Sequence, residues 1–311
     1  MEDYGHVPVM LDEVLGLLEP ASRSVMVDCT AGLGGHSEAL LSAAPEASRA
    51  ILMDVDEETL RRARWRLEGF GTRVRYFHAN FGDVKDVLAE AGVSRVDGLL
   101  ADLGVASSQL DDPERGLSFQ ASGPLDMRLD RSQGPTAATL VNTYGERELA
   151  DLIYAYGEER YSRRIARAIV LERKTNKIEN TGHLADVVAS AYPAMARMSR
   201  HGVHPATRTF QALRIAVNRE MENLERLLAA LPDVLAVGGR AAIISFHSLE
   251  DRRVKQAFAA MESAGLARPL TKKPLQASDA ESRTNPRSRS AKLRGIEKLQ
   301  PLGSGTNGVG S

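Results

Sequence analysis

The sequence predicts an α/β protein, a doubly wound and mostly parallel sheet interrupted by a helical insertion. Three observations carry this. Four short apolar runs alternate with helix-like stripes in the first third of the chain. Three of those runs end in an acid: Asp28, Asp54 and Asp102. A long stretch, 113–209, then shows only helical periodicity before strand-like sequence returns near Gly238.

The elements follow in order. Residues 6–18 carry Val9, Met10, Leu11, Val14, Leu15, Leu17 and Leu18, a helical stripe leading into a first strand, Val25–Asp28. A turn with Gly32, Gly34 and Gly35 follows, then a helix through Glu38 to Leu41. A second strand at 50–56 precedes a helix at 57–67. A third strand, Val74–His78, runs into Ala79-Asn80-Phe81, and a short helix at 84–91 leads to a fourth strand, Val96–Asp102. In such sheets ligands bind beyond the carboxyl ends of the strands, where the strand order reverses. Asp28, Asp54, Phe81 and Asp102 all fall there. Residues 103–119 are rich in turn chemistry and read as a long loop beside the site. Helices are expected at 146–156, 160–173 and 183–191. One long helix is expected through Phe210, Leu213, Val217, Met221, Leu224 and Leu228, spaced 3 or 4 apart. A fifth strand at 238–246 follows, with a helix opened by His247, and final strands are expected at 269–275 and 290–298. The expected division is a core in two parts, 1–112 and 210–302, around a helical substrate domain at 113–209. The Gly/Ser-rich tail, 303–311, is expected to be disordered.

Composition excludes several classes. With 311 residues and 43% hydrophobic content the chain supports a full core. No apolar run of about 18 residues occurs, so no membrane span is expected. The opening Met-Glu-Asp-Tyr-Gly-His lacks the pattern of a secretory leader, and a cytoplasmic protein is expected. The one cysteine, Cys29, rules out an internal disulfide and a cysteine-based zinc site, and no metal is expected. A net charge of −1 excludes a uniformly basic nucleic-acid binder. The charge is uneven, however. Residues 268–298 hold nine Lys/Arg against three Asp/Glu, and 158–177 hold seven against three. Patches of this kind suit phosphate contacts, although solvated helix faces carry charge for no such reason.

The loop after the first strand selects among cofactors. Glycines there let backbone N–H groups approach a ligand, and the helix start favours a negative group. Asp54 lies 19 residues after Gly35, near the spacing at which an acid reaches ribose hydroxyls. A nicotinamide dinucleotide fingerprint wants a third glycine where this chain has Ser37, and Asp28 ahead of the glycines would repel a pyrophosphate. A ligand with an ammonium group fits better. S-adenosylmethionine brings an ammonium and carboxylate for the loop, a ribose for Asp54 and an adenine for Phe81, with Asp102 near the methyl-transfer end.

The whole chain, to about Leu302, resembles the bacterial small-subunit ribosomal RNA methyltransferase H family, the MraW methylases. The resemblance is carried by His6-Val-Pro-Val-Met-Leu-Asp-Glu-Val, Gly34-Gly-His-Ser, Asp102-Leu-Gly-Val, Ser107-Ser-Gln-Leu-Asp-Asp, Arg115-Gly-Leu-Ser-Phe and Gly123-Pro-Leu-Asp-Met-Arg. Tyr156-Gly-Glu-Glu-Arg-Tyr, His204-Pro-Ala-Thr-Arg-Thr-Phe, Ser245-Phe-His-Ser-Leu-Glu-Asp-Arg and Asn285-Pro-Arg-Ser-Arg-Ser add to it. The resemblance implies a class I, Rossmann-like methyltransferase sheet with a helical insertion. It implies S-adenosylmethionine as methyl donor and the exocyclic N4 of a cytidine in the decoding region of 16S rRNA as acceptor. Carried over by position, the cofactor contacts are Gly34, Gly35, His36, Asp54, Phe81, Asp102 and Gln109.

Cytosine's amino group is a poor nucleophile, because its lone pair is delocalised into the ring. An acceptor must orient its N–H groups as charge develops. Asp102, with the carbonyls of Leu103 to Val105, is the candidate catalytic group. Many amino-methyltransferases carry an Asp/Asn-Pro-Pro-aromatic turn at this point, and Asp-Leu-Gly-Val lacks it. His247 and Ser248 could face the base or cap a helix. Arg163, Arg164 and Arg167 share one helix face. With Arg287 and Arg289 they are expected to contact rRNA phosphates, and His204 and Arg208 could do the same or orient a helix start. The expected partner is 16S rRNA in the small ribosomal subunit, with no membrane, and the sequence leaves monomer and homodimer open. A DNA amino-methyltransferase, a nicotinamide oxidoreductase and a non-catalytic RNA-binding or assembly protein are the competing readings.

Overall fold

The computed structural model describes residues 8–193 and 204–299. The tail at 303–311 and part of the expected insertion lie outside these residues. Among the described residues seven strands form one sheet: β1 (Val25–Asp28), β2 (Arg49–Asp54), β3 (Val74–His78), β4 (Val96–Asp102), β5 (Leu235–Ser245), β6 (Ala267–Pro269) and β7 (Lys292–Lys298). Their order is β3-β2-β1-β4-β5-β7-β6. β1 pairs in parallel with β2 and with β4, β2 with β3, and β4 with β5, whereas β7 runs antiparallel to both β5 and β6. The order therefore reverses at β1, with β2 on one side and β4 on the other. That switch point is where the apolar runs deliver Asp28, Asp54 and Asp102.

The central strands β1, β2 and β4 are apolar along nearly their whole length because both faces of the sheet are covered there. Leu41, Leu52, Leu60 and Leu67 form one buried cluster with Ala31 and Val74. Met10, Val14, Leu18, Met26, Leu100, Ile244 and Leu293 form another. Helix α1 (Leu11–Leu18) precedes β1, and α2 (Gly35–Ala43), α3 (Glu57–Arg66) and α4 (Val84–Glu90) follow β1, β2 and β3. Asp56 caps α3, accepting from the Glu58 and Thr59 amides. Among the described residues no helix is long and apolar enough to cross a membrane.

The chain divides into two compact units, one of residues 1–104 and 221–311 and the other Val105–Glu220. The second is wider than the expected 113–209, for a packing reason. It contains α5 (Ser107–Asp111), α6 (Ala137–Thr143), α7 (Glu146–Gly157), α8 (Ser162–Glu172), α9 (Thr181–Ala191) and α10 (Thr207–Val217). Phe210 and Leu213 of α10 are buried with Leu149, Ile153, Ile165 and Val188 in its own core. So α10 belongs to this unit, although the sequence placed 210 onward with the sheet.

Three elements differ from expectation. The long helix through Phe210 and Leu228 is two helices, α10 and α11 (Glu220–Val234), broken where Arg219 takes a left-handed φ of 50°. Asn218 fixes the break. Its side-chain amide donates to the Met127 and Arg214 carbonyls and its Oδ1 accepts the Leu129 amide. The expected strand at 269–275 shrinks to β6 and one bridge, Leu275 to Leu293, since Pro269 and Pro274 offer no amide donor. The expected loop at 103–119 contains α5 and a 3₁₀ turn, Pro113–Arg115.

Candidate cofactor site

Each strand end places a carboxylate by local hydrogen bonding. Asp28 is 3% exposed. It accepts from the Thr30 amide at 3.1 Å and from Ser37 Oγ at 2.6 Å. Asp54 accepts from the Gly32 amide at 2.8 Å and the Asp56 amide at 2.9 Å, tying the end of β2 to the β1 loop. The Asp102 amide donates to Thr30 Oγ1 at 2.6 Å, and its carboxylate accepts the Gly104 amide at 3.2 Å. Gly104 is required here because a side chain would lie 2.7 Å from the Phe246 ring. Phe81 is half-buried and opens a 3₁₀ turn beyond β3, with Asn80 accepting the Gly82 amide at 3.0 Å.

The β1 loop turns through Gly32 at φ 53° and Gly34 at φ 81°, and Gly34 opens α2. His36, in the first turn of α2, is 7% exposed. Its Nε2 is 2.9 Å from the Val9 carbonyl and its Nδ1 is 3.9 Å from Asp102 Oδ2.

The three strand-end carboxyls lie close enough to act on one another. Burial pushes the Asp28, Asp54 and Asp102 carboxyls above their ordinary range, Asp54 to about 6. Repulsion from Asp28 adds to the rise at both Asp54 and Asp102. A ligand carrying net positive charge relieves that repulsion, whereas a pyrophosphate increases it. S-adenosylmethionine, with a sulfonium and an ammonium against one carboxylate, is such a ligand. Asp54 offers an acceptor for ribose hydroxyls and the N-terminus of α2 faces the carboxylate's sign of charge. The residues present therefore fit the donor.

The other sequence-predicted residues fall as follows. Gly34, Gly35, His36, Asp54, Phe81 and Asp102 all lie at the ends of β1–β4 or on the loops leaving them. Gln109 is 6% exposed in the second unit, where its side-chain oxygen accepts the Ala106 amide at 2.9 Å and caps α5. Arg163, Arg164 and Arg167 are exposed along α8. His204 stacks on Phe119 at 4.7 Å, and Arg208 donates to the Glu158 carbonyl at 2.6 Å, bracing the left-handed end of α7. Arg289 is exposed and bonds the Ser282 carbonyl at 3.1 Å, and Arg287 is half-buried in the adjoining turn Pro286–Ser290. His247 caps α12 (Ser248–Ser263). Its Nδ1 accepts the Glu250 amide, and Glu250 Oε2 accepts the Phe246 amide at 2.8 Å.

Sequence reasoning missed Thr30, Ser37 and Glu250 as site-building residues. Ser37 registered only as an absent glycine. Its signal was there: a hydroxyl one helical turn past a glycine loop is placed to hold a strand-end acid.

The strand order, the reversed seventh strand and the three strand-end acids define a class I S-adenosylmethionine-dependent methyltransferase. The profile of the MraW methylase family matches residues 3–299, and the chain belongs to that family. It is 49% identical over 315 residues to the ribosomal RNA small subunit methyltransferase H of Geobacter sp. (strain M21), covering 96% of this chain and 100% of that protein. It is 52% identical over 294 residues to the protein of the same name from Sorangium cellulosum (strain So ce56), covering 94% and 91%. A crystal structure of an rRNA methylase from Streptococcus thermophilus aligns with a TM-score of 0.42 at 12% identity, covering 93% of this chain and 94% of that one.

Proposed function

We propose that the protein transfers the methyl group of S-adenosylmethionine to the exocyclic N4 of a cytidine in the decoding region of 16S rRNA. The observation that carries this reading is the near full-length similarity, at 49% and 52% identity, to relatives named for methylation of the small-subunit ribosomal RNA. The bound donor supplies an electrophilic methyl on a sulfonium; the chain supplies position and charge. Gly34, Gly35 and the start of α2 receive the amino-acid end, Asp54 the ribose and Phe81 the adenine. Asp102 stands at the methyl-transfer end, where its carboxylate accepts an N–H of the incoming amine and stabilises the positive charge that develops on nitrogen.

The helical unit, Val105–Glu220, is the substrate domain in this reading. Arg163, Arg164 and Arg167 contact RNA phosphates, as do Arg287 and Arg289 on the sheet unit. His204 and Arg208 act mainly by ordering the start of α10. The target base leaves its stack, at a cost of about 2–4 kcal/mol unless the RNA already displays it. The test is methyl incorporation from labelled S-adenosylmethionine into naked 16S rRNA and into 30S particles, with calorimetry for the cofactor. Incorporation into one of these substrates supports the proposal. Tight NADH binding with no S-adenosylmethionine binding would sink it.

A further inference from the structure

Three residues ahead of α1 form a strap across the start of α2. Pro8 presses on Gly35, where an added Cβ would sit 2.6 Å from Pro8 Cγ. The Val9 carbonyl is 2.9 Å from His36 Nε2. Met10 is fully buried and holds a left-handed φ of 55° and ψ of 41° while its carbonyl receives the Val14 amide and starts α1. A methionine stays in that region only when its surroundings hold it there. The holding group is remote in sequence: the Met10 amide donates to Glu281 Oε1 at 2.8 Å, across 271 positions. Glu281 lies in α13 (Asp279–Thr284), whose start is capped by Ser278 Oγ accepting the Glu281 amide at 3.1 Å.

We infer that Glu281 is a positioning residue for the cofactor site, fixing through the Pro8–Met10 strap the tautomer and orientation of His36 beside Asp102. The chain of contacts runs from Glu281 Oε1 to the Met10 amide, from Val9 O to His36 Nε2, and from His36 Nδ1 toward Asp102 Oδ2. A carbonyl accepts only, so Val9 keeps the proton on Nε2 and leaves Nδ1 a lone pair. Release of the Met10 amide frees the left-handed turn, and Val9 O then leaves the ring. The inference rests on the reading of His36 and Asp102 as lining the S-adenosylmethionine site.

The test compares Glu281→Gln, Glu281→Asp and Glu281→Ala. Gln keeps an acceptor oxygen at the same reach. Asp keeps the charge but withdraws its oxygens by about 1.5 Å, one carbon–carbon bond. Long-range proton–nitrogen correlation on the histidine-labelled protein reads the His36 tautomer, and calorimetry reads S-adenosylhomocysteine affinity. Wild type and Gln are expected to hold the Nε2–H tautomer and similar affinity. Asp and Ala are expected to show mixed tautomers and affinity weaker by about fivefold to tenfold. The Gln and Asp pair decides the matter even if the Ala variant fails to fold. An Asp variant that behaves as wild type, or a Gln variant as damaged as Ala, would overturn the inference. Wild-type protein that shows the tautomer but binds no S-adenosylhomocysteine would overturn the site reading, and with it the link from Glu281 to the cofactor. Intact binding with no tautomer change across the series would overturn the strap alone.

Discussion

His36 Nδ1 stands 3.9 Å from Asp102 Oδ2. Because Nε2 is engaged by the Val9 carbonyl at 2.9 Å, the neutral ring has no proton left for Asp102. The pair is too far apart for a direct hydrogen bond. An ammonium or an amino group placed between them would offer N–H donors to both; a carbonyl or a phosphate would not.

Asp102 should therefore be expendable for folding and not for catalysis. Burial raises its carboxyl, and Asp28 and Glu250 add to the rise, so its charge opposes the fold. Asp102→Asn is expected to leave the melting temperature unchanged or higher while methyl transfer falls about 100-fold. Scanning calorimetry beside a methyl-incorporation assay measures both. A marked loss of melting temperature with activity retained would contradict the role given to Asp102.

Asp54 sets a pH dependence. Its carboxyl stands at about 6 against an ordinary 3.8, because burial outweighs the Asp56 and Gly32 amide bonds. Between those two values the folded state holds more protons than the unfolded state, so stability falls as pH rises through this window. Ribose hydroxyls need the anion as acceptor, so cofactor affinity should move the opposite way and weaken as pH drops below about 6. Titrations of S-adenosylhomocysteine on both sides of that pH check the sign. Asp54→Asn should bind more weakly throughout and lose the slope.

The arginines of α8 should act on RNA and not on cofactor. Arg163 and Arg164 are exposed on α8 of the helical unit, whereas the strand-end acids belong to the sheet unit. Replacing both by Ala should weaken RNA binding and lower the slope of log affinity against log salt by roughly 1.5, about 0.7–0.9 per lost phosphate contact. S-adenosylhomocysteine affinity should not change. An unaltered salt slope would remove these residues from the RNA surface.

Two glycines hold the 113–127 loop of the helical unit. A Cβ on Gly123 would lie 1.9 Å from the Pro113 carbonyl oxygen, and Gly116 sits at φ 65° with the Pro124 carbonyl in the same position. Backbone cannot yield as a side chain can. Gly123→Ala is expected to destabilise the helical unit by about 4 kcal/mol or more, read by urea denaturation.

The central strands were legible because strands buried on both faces announce themselves as unbroken apolar runs: Val25–Asp28 and Val96–Asp102 are strands at the positions their residues dictate. The edge strand Val74–His78, with Arg75 exposed, was legible from its β-forming residues instead. The helix break at Arg219 was not legible, since the ladder from Phe210 to Leu228 continues through it. What stops the helix is a distant loop that captures the Asn218 side chain. The acids at the strand ends were visible for the same reason as the strands. Their supports were less so: Ser37 carries a readable local signal, whereas Thr30 reaches the Asp102 amide and Glu281 the Met10 amide across long sequence separations that no local pattern records. Gln109 shows the converse, a motif residue whose side chain is engaged by its own helix start.

The most direct measurement is nucleoside mass spectrometry of 16S rRNA after reaction with the protein and a deuterated-methyl S-adenosylmethionine, with fragment mapping of the labelled nucleotide. The expected result is one labelled cytidine in the decoding region, with the label on the exocyclic nitrogen and lost in Asp102→Asn. Label on a ring carbon or a ribose, or no label in naked rRNA and 30S particles alike, would contradict the account.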